Sequence, residues 1–230
     1  MSKINLGNLL ANQSLFRHIS TFELESLQRE VCKLELGKGL SLFRKGDHAD
    51  ASFILVYGLV KLGIPSSHGS DKVLELIRPG QSLGEAMLFL DEPYPFYAEA
   101  LENSLLLKIP KTALLRLLDS SPVIARQMMA GLSYRLLGFI RNVERYSLQN
   151  ATQRVIDYLL QTSAMQSTND VRLELKKNLV ASLLNLTPET LSRVLHQLMD
   201  EKMIRVCGST IHIIAPTDTL KSYQGNAAHS

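Results

Sequence analysis

Leu183-Leu184-Asn185-Leu186-Thr187-Pro188-Glu189-Thr190-Leu191-Ser192-Arg193-Val194-Leu195-His196-Gln197-Leu198 is the stretch that decides the fold. Thr187 is a good N-cap, and Pro188 suits the first helical position, where its missing N–H would have had no partner. A helix is expected to start there. Leu191, Val194, Leu195 and Leu198 recur at i, i+3, i+4 and i+7 and predict a buried stripe, while Glu189, Ser192, Arg193 and His196 repeat the spacing on the outward face. Upstream, Lys176 to Leu184 reads as a short amphipathic helix. It ends at Asn185, one of the few non-glycine residues that tolerates left-handed backbone at a helix C-terminus. The pattern is helix, tight turn, helix.

The outward row suits the major groove of DNA. Arg193 can donate two bonds to guanine O6 and N7, Glu189 can accept from cytosine N4, and Ser192 can serve a base or a phosphate. A solvated helix face is the competing reading, and the capped turn before it favours DNA. Thr187, Thr190, Lys176 and Lys177 could touch phosphates, which position a protein without reading sequence; solvated charge is an equal reading of the two lysines.

Glu189-Thr190-Leu191-Ser192-Arg193 resembles the E-x-x-S-R recognition helix of the Crp/Fnr superfamily of bacterial transcription regulators. The nearest branch is that of the fumarate–nitrate reduction and dissimilative nitrate respiration regulators, and the resemblance covers nearly the whole chain. It implies an α+β fold: a cyclic-nucleotide-binding-type β-roll over residues 1–119, a long dimerisation helix over 120–148, and a winged helix-turn-helix over 149–230.

The other residues can be read against that expectation. Leu9 to Leu27 predicts one or two short helices, with Ser20-Thr21 as a cap. From Cys32 to Pro110 the apolar runs are short: Lys33 to Leu36, Ser41 to Phe43, Ser52 to Tyr57, Val60 to Ile64, Val73 to Ile77 and Ala98 to Ile109. Glycine-rich turns separate them, which predicts an antiparallel barrel or roll. The ordered set Gly39, Gly46-Asp47, Gly58 resembles the cyclic-nucleotide-binding roll.

Gly84-Glu85 to Phe89, followed by Asp91 to Ala98, resembles its phosphate-binding cassette. There the resemblance implies that Glu85 takes a ribose hydroxyl and that an Arg-Ser/Thr pair takes the phosphate. Phe96 and Tyr97 occupy the phosphate positions, and no Arg or Lys lies from Gln81 to Leu107. A buried phosphate without a cation is costly, which disfavours cyclic AMP. Phe139 and Ile140 fall where relatives contact the base. An apolar effector pocket of Gly84, Glu85, Phe96, Tyr97, Phe139 and Ile140 is therefore expected.

Ser121 and Pro122 open the next helix, in which Met128, Leu132, Leu136, Phe139, Val143 and Tyr146 alternate steps of four and three as a coiled-coil seam does, with Arg126, Arg135, Arg141 and Arg145 outside it. A homodimer is expected, its recognition helices about 34 Å apart on a near-palindromic site. Packing of this helix on its own domain alone is the alternative. Ala151 to Met165 predicts a helix, Val171 to Leu175 a strand, and Ile204 to Ile214 two strands around Gly208-Ser209, the wing.

Net charge is +3, distributed as −1 over residues 1–120, +3 over 121–149 and +1 over 150–230. So weak a balance does not announce nucleic acid, and the DNA reading rests on the helix. Two cysteines, far apart, suit a reduced cytoplasmic protein and cannot hold the four-thiolate cluster of oxygen sensors. Neither an export signal nor a membrane span is expected, and Gly225 to Ser230 reads as a loose tail.

A metal-dependent cupin would need clustered histidines, whereas His48 and His68 stand alone; nucleophile-elbow, P-loop and zincin motifs are absent. An enzyme is not expected, and a cyclic-nucleotide-responsive regulator is the runner-up. The metal and cofactor are left open. The branch resemblance implies haem and nitric oxide, but no haem-ligand motif is legible, and His18, His48 or His68 is each a lone histidine. It also implies a TTGA-type half-site and recruitment or blocking of RNA polymerase.

Overall fold

The computed structural model describes residues 6–16, 19–65 and 71–222, so the readings made on His18, His68 and the tail from Gly225 to Ser230 lie outside it. The chain divides into two compact units, Met1–Arg135 and Leu136–Ser230.

The first unit opens with α1 (Leu6–Ala11), a 3-10 turn at Ser14–Phe16 and α2 (Thr21–Gln28). Ser20 caps α2 as expected: its Oγ accepts from the Glu23 amide at 3.2 Å, and the Glu23 carboxylate accepts from the Ser20 amide at 2.9 Å. Then come β1 (Cys32–Leu36), β2 (Ser41–Phe43), β3 (Ala51–Tyr57), β4 (Val60–Ile64), β5 (Lys72–Ile77), β6 (Ser82–Leu83), α3 (Glu85–Leu90), β7 (Tyr97–Ala100), β8 (Ser104–Pro110) and α4 (Lys111–Ser120). The strands form two antiparallel four-stranded sheets, in the orders β1-β8-β3-β6 and β2-β7-β4-β5.

The run Ala51-Ser52-Phe53-Ile54-Leu55 is buried on both faces of its strand. Phe53 and Leu55 share one core with Leu62, Ile77, Leu83 and Leu106. Ile54 joins Leu107 and Ile109 in a second core, with Leu10, Leu27, Leu114, Ile124 and Met128 from the helices.

The expected single strand from Ala98 to Ile109 is two. Leu101-Glu102-Asn103 breaks it, because β7 pairs with β4 in one sheet and β8 with β3 in the other, and the chain must change sheets between them. α3, α4 and β6 were not expected; α4 buries Ala113, Leu114 and Leu117 at helical spacing.

α5 (Pro122–Leu148) is one helix of 27 residues, about 40 Å long. Its predicted seam needs correction at the start: Met128 is buried in the core of its own unit and Leu132 packs against it. Leu136, Ile140 and Val143, by contrast, are 61%, 54% and 64% exposed, with Phe139 beside them.

The second unit adds α6 (Ala151–Gln166), β9 (Asp170–Arg172), α7 (Lys177–Leu183), α8 (Pro188–Asp200), β10 (Ile204–Cys207), β11 (Thr210–Ile213) and α9 (Thr217–Ser222). Its antiparallel sheet has the order β10-β11-β9. β9 is shorter than predicted because its partner β11 starts at Thr210, opposite Arg172. Val155, Ile156, Leu159, Leu191, Leu195, Leu198 and Ile211 are among its core residues. Among the described residues no helix is long and apolar enough to cross a membrane.

Gly58, between β3 and β4, has φ +95°, and a Cβ there would stand 2.7 Å from Ser104 Cα and 2.8 Å from the Asn103 carbonyl oxygen. Both obstacles are backbone. Gly58→Ala should therefore cost about 2 to 4 kcal/mol, read as a lower urea midpoint at unchanged slope.

Candidate functional site

α7 ends as the sequence predicts. Asn185 has φ +54°, and the amides of Asn185 and Leu186 bond back to the carbonyls of Ser182 at 3.1 Å and Ala181 at 2.9 Å. This is the Schellman arrangement, which closes a helix and redirects the chain at once. Two residues later Thr187 caps α8, its Oγ1 accepting from the Thr190 amide at 3.2 Å, with Pro188 at the first position.

Leu191, Val194, Leu195 and Leu198 are buried, so Glu189, Ser192, Arg193 and His196 lie on the outward face, all exposed. His196 is tied to its own helix, Nδ1 lying 2.8 Å from the Ser192 carbonyl oxygen. The Glu189 carboxyl is held below its usual range by its own backbone N–H and then by the Thr187 hydroxyl. It is thus an ionised acceptor at neutral pH, three and four residues from Ser192 and Arg193 on the same face.

Lys176 and Lys177, at the start of α7, are exposed; Thr187 is exposed and Thr190 half-buried. β10 and β11 form the predicted hairpin, with Gly208 at φ +61° in its turn. His212 Nδ1 lies 2.7 Å from Asp170 Oδ1, tying β11 to β9. The arrangement offers one acceptor, one hydroxyl and one guanidinium on the first turns of a rigid helix, a set suited to base edges.

In the first unit Gly84 has φ +89°, and a Cβ there would lie 3.0 Å from the Tyr94 hydroxyl. Glu85, which follows, is 2% exposed. Its Oε1 accepts from the Ser82 hydroxyl at 3.1 Å and from Arg135 Nη1 at 2.8 Å. Arg135 also donates to the Ser82 carbonyl and lies 3.4 Å from Glu75 Oε1. One guanidinium thus serves two carboxylates, each of which keeps a buried Oε2 without a hydrogen bond. Burial pushes the Glu75 carboxyl above its usual range, Arg135 opposes this, and Glu85 adds to it.

This corrects two expectations. Arg135 is not an outer residue of α5, and the surroundings of Glu85 are charged rather than apolar. The signal was present: in β5, Glu75 alternates with Leu74 and Leu76 and so shares the face of the buried Val73 and Ile77. A carboxylate on an inward face needs a cation.

Phe96 lies in an aromatic group with Phe43 and Tyr94, whose rings stack 3.7 Å apart. Tyr97 donates to Asp71 Oδ2 at 2.8 Å and lies under Lys61 Nζ. Phe139 and Ile140 belong to the second unit and are exposed. Among the described residues no group of three or more His, Cys, Asp or Glu could hold a metal ion.

Residues 33–121 match the cyclic nucleotide-binding domain, and 153–219 match the Crp-like helix-turn-helix domain. The chain is 28% identical over 186 residues to the transcriptional activator protein Anr of Pseudomonas protegens, covering 79% of this chain and 76% of that one. The sensor domain of the transcriptional regulator DNR from Pseudomonas aeruginosa is 33% identical, with TM-score 0.51, over 58% of this chain and 90% of that domain. FixK2 from Bradyrhizobium japonicum shares the fold at TM-score 0.71 and 20% identity, over 84% of this chain and 96% of that one.

A carboxyl whose folded pKa is raised stabilises the fold in its protonated form. That contribution is complete below its ordinary value of 4.5 and is lost as pH climbs through the raised one. Glu75→Gln, which mimics the protonated form, should flatten this loss and leave the variant more stable than the parent at pH 8. Urea midpoints at pH 5 and pH 8 measure the difference.

Proposed function

Because the chain belongs to the Crp/Fnr family of transcription regulators, on the branch that holds Anr, Fnr and DNR, we propose that it is a homodimer reading a near-palindromic, TTGA-type DNA site. The outward set Glu189, Ser192 and Arg193, opposite the buried stripe of the Thr187-capped α8, is the observation that carries this reading. Arg193 takes the guanine, Glu189 the paired cytosine, and Ser192 sits by a thymine. Thr187, Thr190, Lys176, Lys177 and the wing hold phosphates.

The dimer forms along α5, where exposed Leu136, Ile140 and Val143 follow one another by four and three residues. A two-fold axis there presents both recognition helices to one face of DNA. The bound dimer recruits or blocks RNA polymerase.

The roll, over residues 1–119, is the sensor. Its charge favours a ligand other than cyclic AMP: Lys61, the cation beside Tyr97, pairs with Glu99 at 3.2 Å, Arg135 is engaged by Glu85, and Glu75 adds a second carboxylate. The branch resemblance implies haem and nitric oxide chemistry, for which His48, its backbone bridged to Pro93 of the cassette, is a described histidine of the roll.

An effector that binds one arrangement of the dimer better than another shifts the population that fits the DNA, and only that difference in affinity can do so. Arg193→Ala should cost about 1 to 3 kcal/mol on the palindrome and relax the choice at the guanine position alone. Binding to duplexes substituted one base pair at a time tests it; equal weakening on every duplex would overturn the assignment. Ile140→Glu, a change on an exposed position, should convert the dimer to monomer in sedimentation at micromolar concentration.

A further inference from the structure

We infer that Tyr146 and Arg154 form a clamp on the turn before α8 and thereby set how that helix is presented to DNA. This positioning role rests on the DNA-binding reading above. Where α7 gives way to the turn, the carbonyls of Leu183, Leu184 and Asn185 come in succession at the point where the chain leaves the helix and no helical amide follows to reach them. All are met from outside α7.

The Tyr146 hydroxyl donates to the Leu183 carbonyl at 2.8 Å, and Arg154 Nη1 donates to those of Leu184 at 2.8 Å and Asn185 at 3.2 Å. The Arg154 guanidinium lies 5.9 Å from the Tyr146 ring centroid, so the two donors also brace each other. Each is anchored on its own helix. Tyr146 stands near the end of α5, and Arg154 is in the first turn of α6, which Asn150 and Gln153 close with a reciprocal capping box. A cation at the C-terminal end of α7 also complements the helix dipole.

The chain from Asn185 to Thr187 leaves little slack before α8 begins, and bidentate contact with a base tolerates little misplacement. A turn held by both neighbours therefore presents Glu189 and Arg193 in one orientation. The same helix that carries the proposed dimer seam supplies Tyr146, so the seam and the turn are joined through one rigid element.

A contact of Arg154 with DNA phosphate would be a different role, and the two differ in what they predict. The test measures binding of the full-length protein to the TTGA palindrome and to a scrambled duplex of equal length across a salt series. Far-UV circular dichroism accompanies each measurement, well below the melting midpoint.

The clamp predicts that Tyr146→Phe weakens palindrome binding roughly 3- to 10-fold and Arg154→Ala about 10- to 100-fold. Scrambled-duplex affinity and salt slope should stay as in the parent, and Arg154→Lys, which keeps the charge and one donor, should recover part of the loss.

Tyr146→Phe binding the palindrome as the parent does would overturn the clamp. So would equal losses on both duplexes with a shallower salt slope for Arg154→Ala, which would mark a phosphate contact. Parent protein without preference for the palindrome would overturn the DNA reading itself, and the clamp with it.

Discussion

A chain that leaves one helix and enters another within a few residues must satisfy the backbone carbonyls stranded between them, and the second unit depends on how this is done. Asn185 supplies the left-handed bend, and the Schellman amides of Asn185 and Leu186 take the carbonyls of Ser182 and Ala181. Tyr146 and Arg154 take the next ones. Thr187 and Pro188 then start α8 with its orphan amides partly met. The outward orientation of Glu189, Ser192 and Arg193 follows from this sequence of bonds together with the burial of Leu191, Val194, Leu195 and Leu198.

The first unit is organised by charge placed inside a roll. Two sheets supply the apolar interior, and the cassette puts Glu85 into it; Arg135, from the far end of the chain segment, comes back to neutralise the carboxylate. Glu75 joins the same guanidinium from β5. The Glu75 carboxyl is the one pushed up, by its burial and by the neighbouring Glu85, against the pull of Arg135. Sensitivity of stability to pH thus arises from this arrangement.

Several self-contained local signals were legible, while the helical spacing of Ala113, Leu114 and Leu117 in α4 was missed. Cap and proline placed the start of α8 to the residue, and glycine turns with short apolar runs placed β2 and β4 with the same bounds found in the structure. What escaped depended on partners distant in sequence. Arg135 reads as an outer heptad position because nothing near it reveals Glu85, 50 residues away. Met128 fits a seam by spacing, yet spacing cannot say whether the apolar partner is another chain or the unit's own core. The strand from Ala98 to Ile109 looks continuous because a change of sheet leaves only Leu101-Glu102-Asn103 as its mark. Tyr146 and Arg154 carry no motif for a clamp; their role shows only once the turn is folded against them.

α5 carries Gly131 and Gly138, each with nothing within 4 Å of where a Cβ would stand. Each costs the helix about 1 kcal/mol relative to alanine. The exposed row of Leu136, Ile140 and Val143 lies on the same helix, so its C-terminal half, which carries Gly138, leaves an apolar row uncovered until a second protomer meets it. In the proposed dimer, association covers that row and stabilises the folded protomer by mass action. The number of copies a cell holds then becomes a stability variable: a sparse population would be less stable molecule by molecule as well as short of regulator.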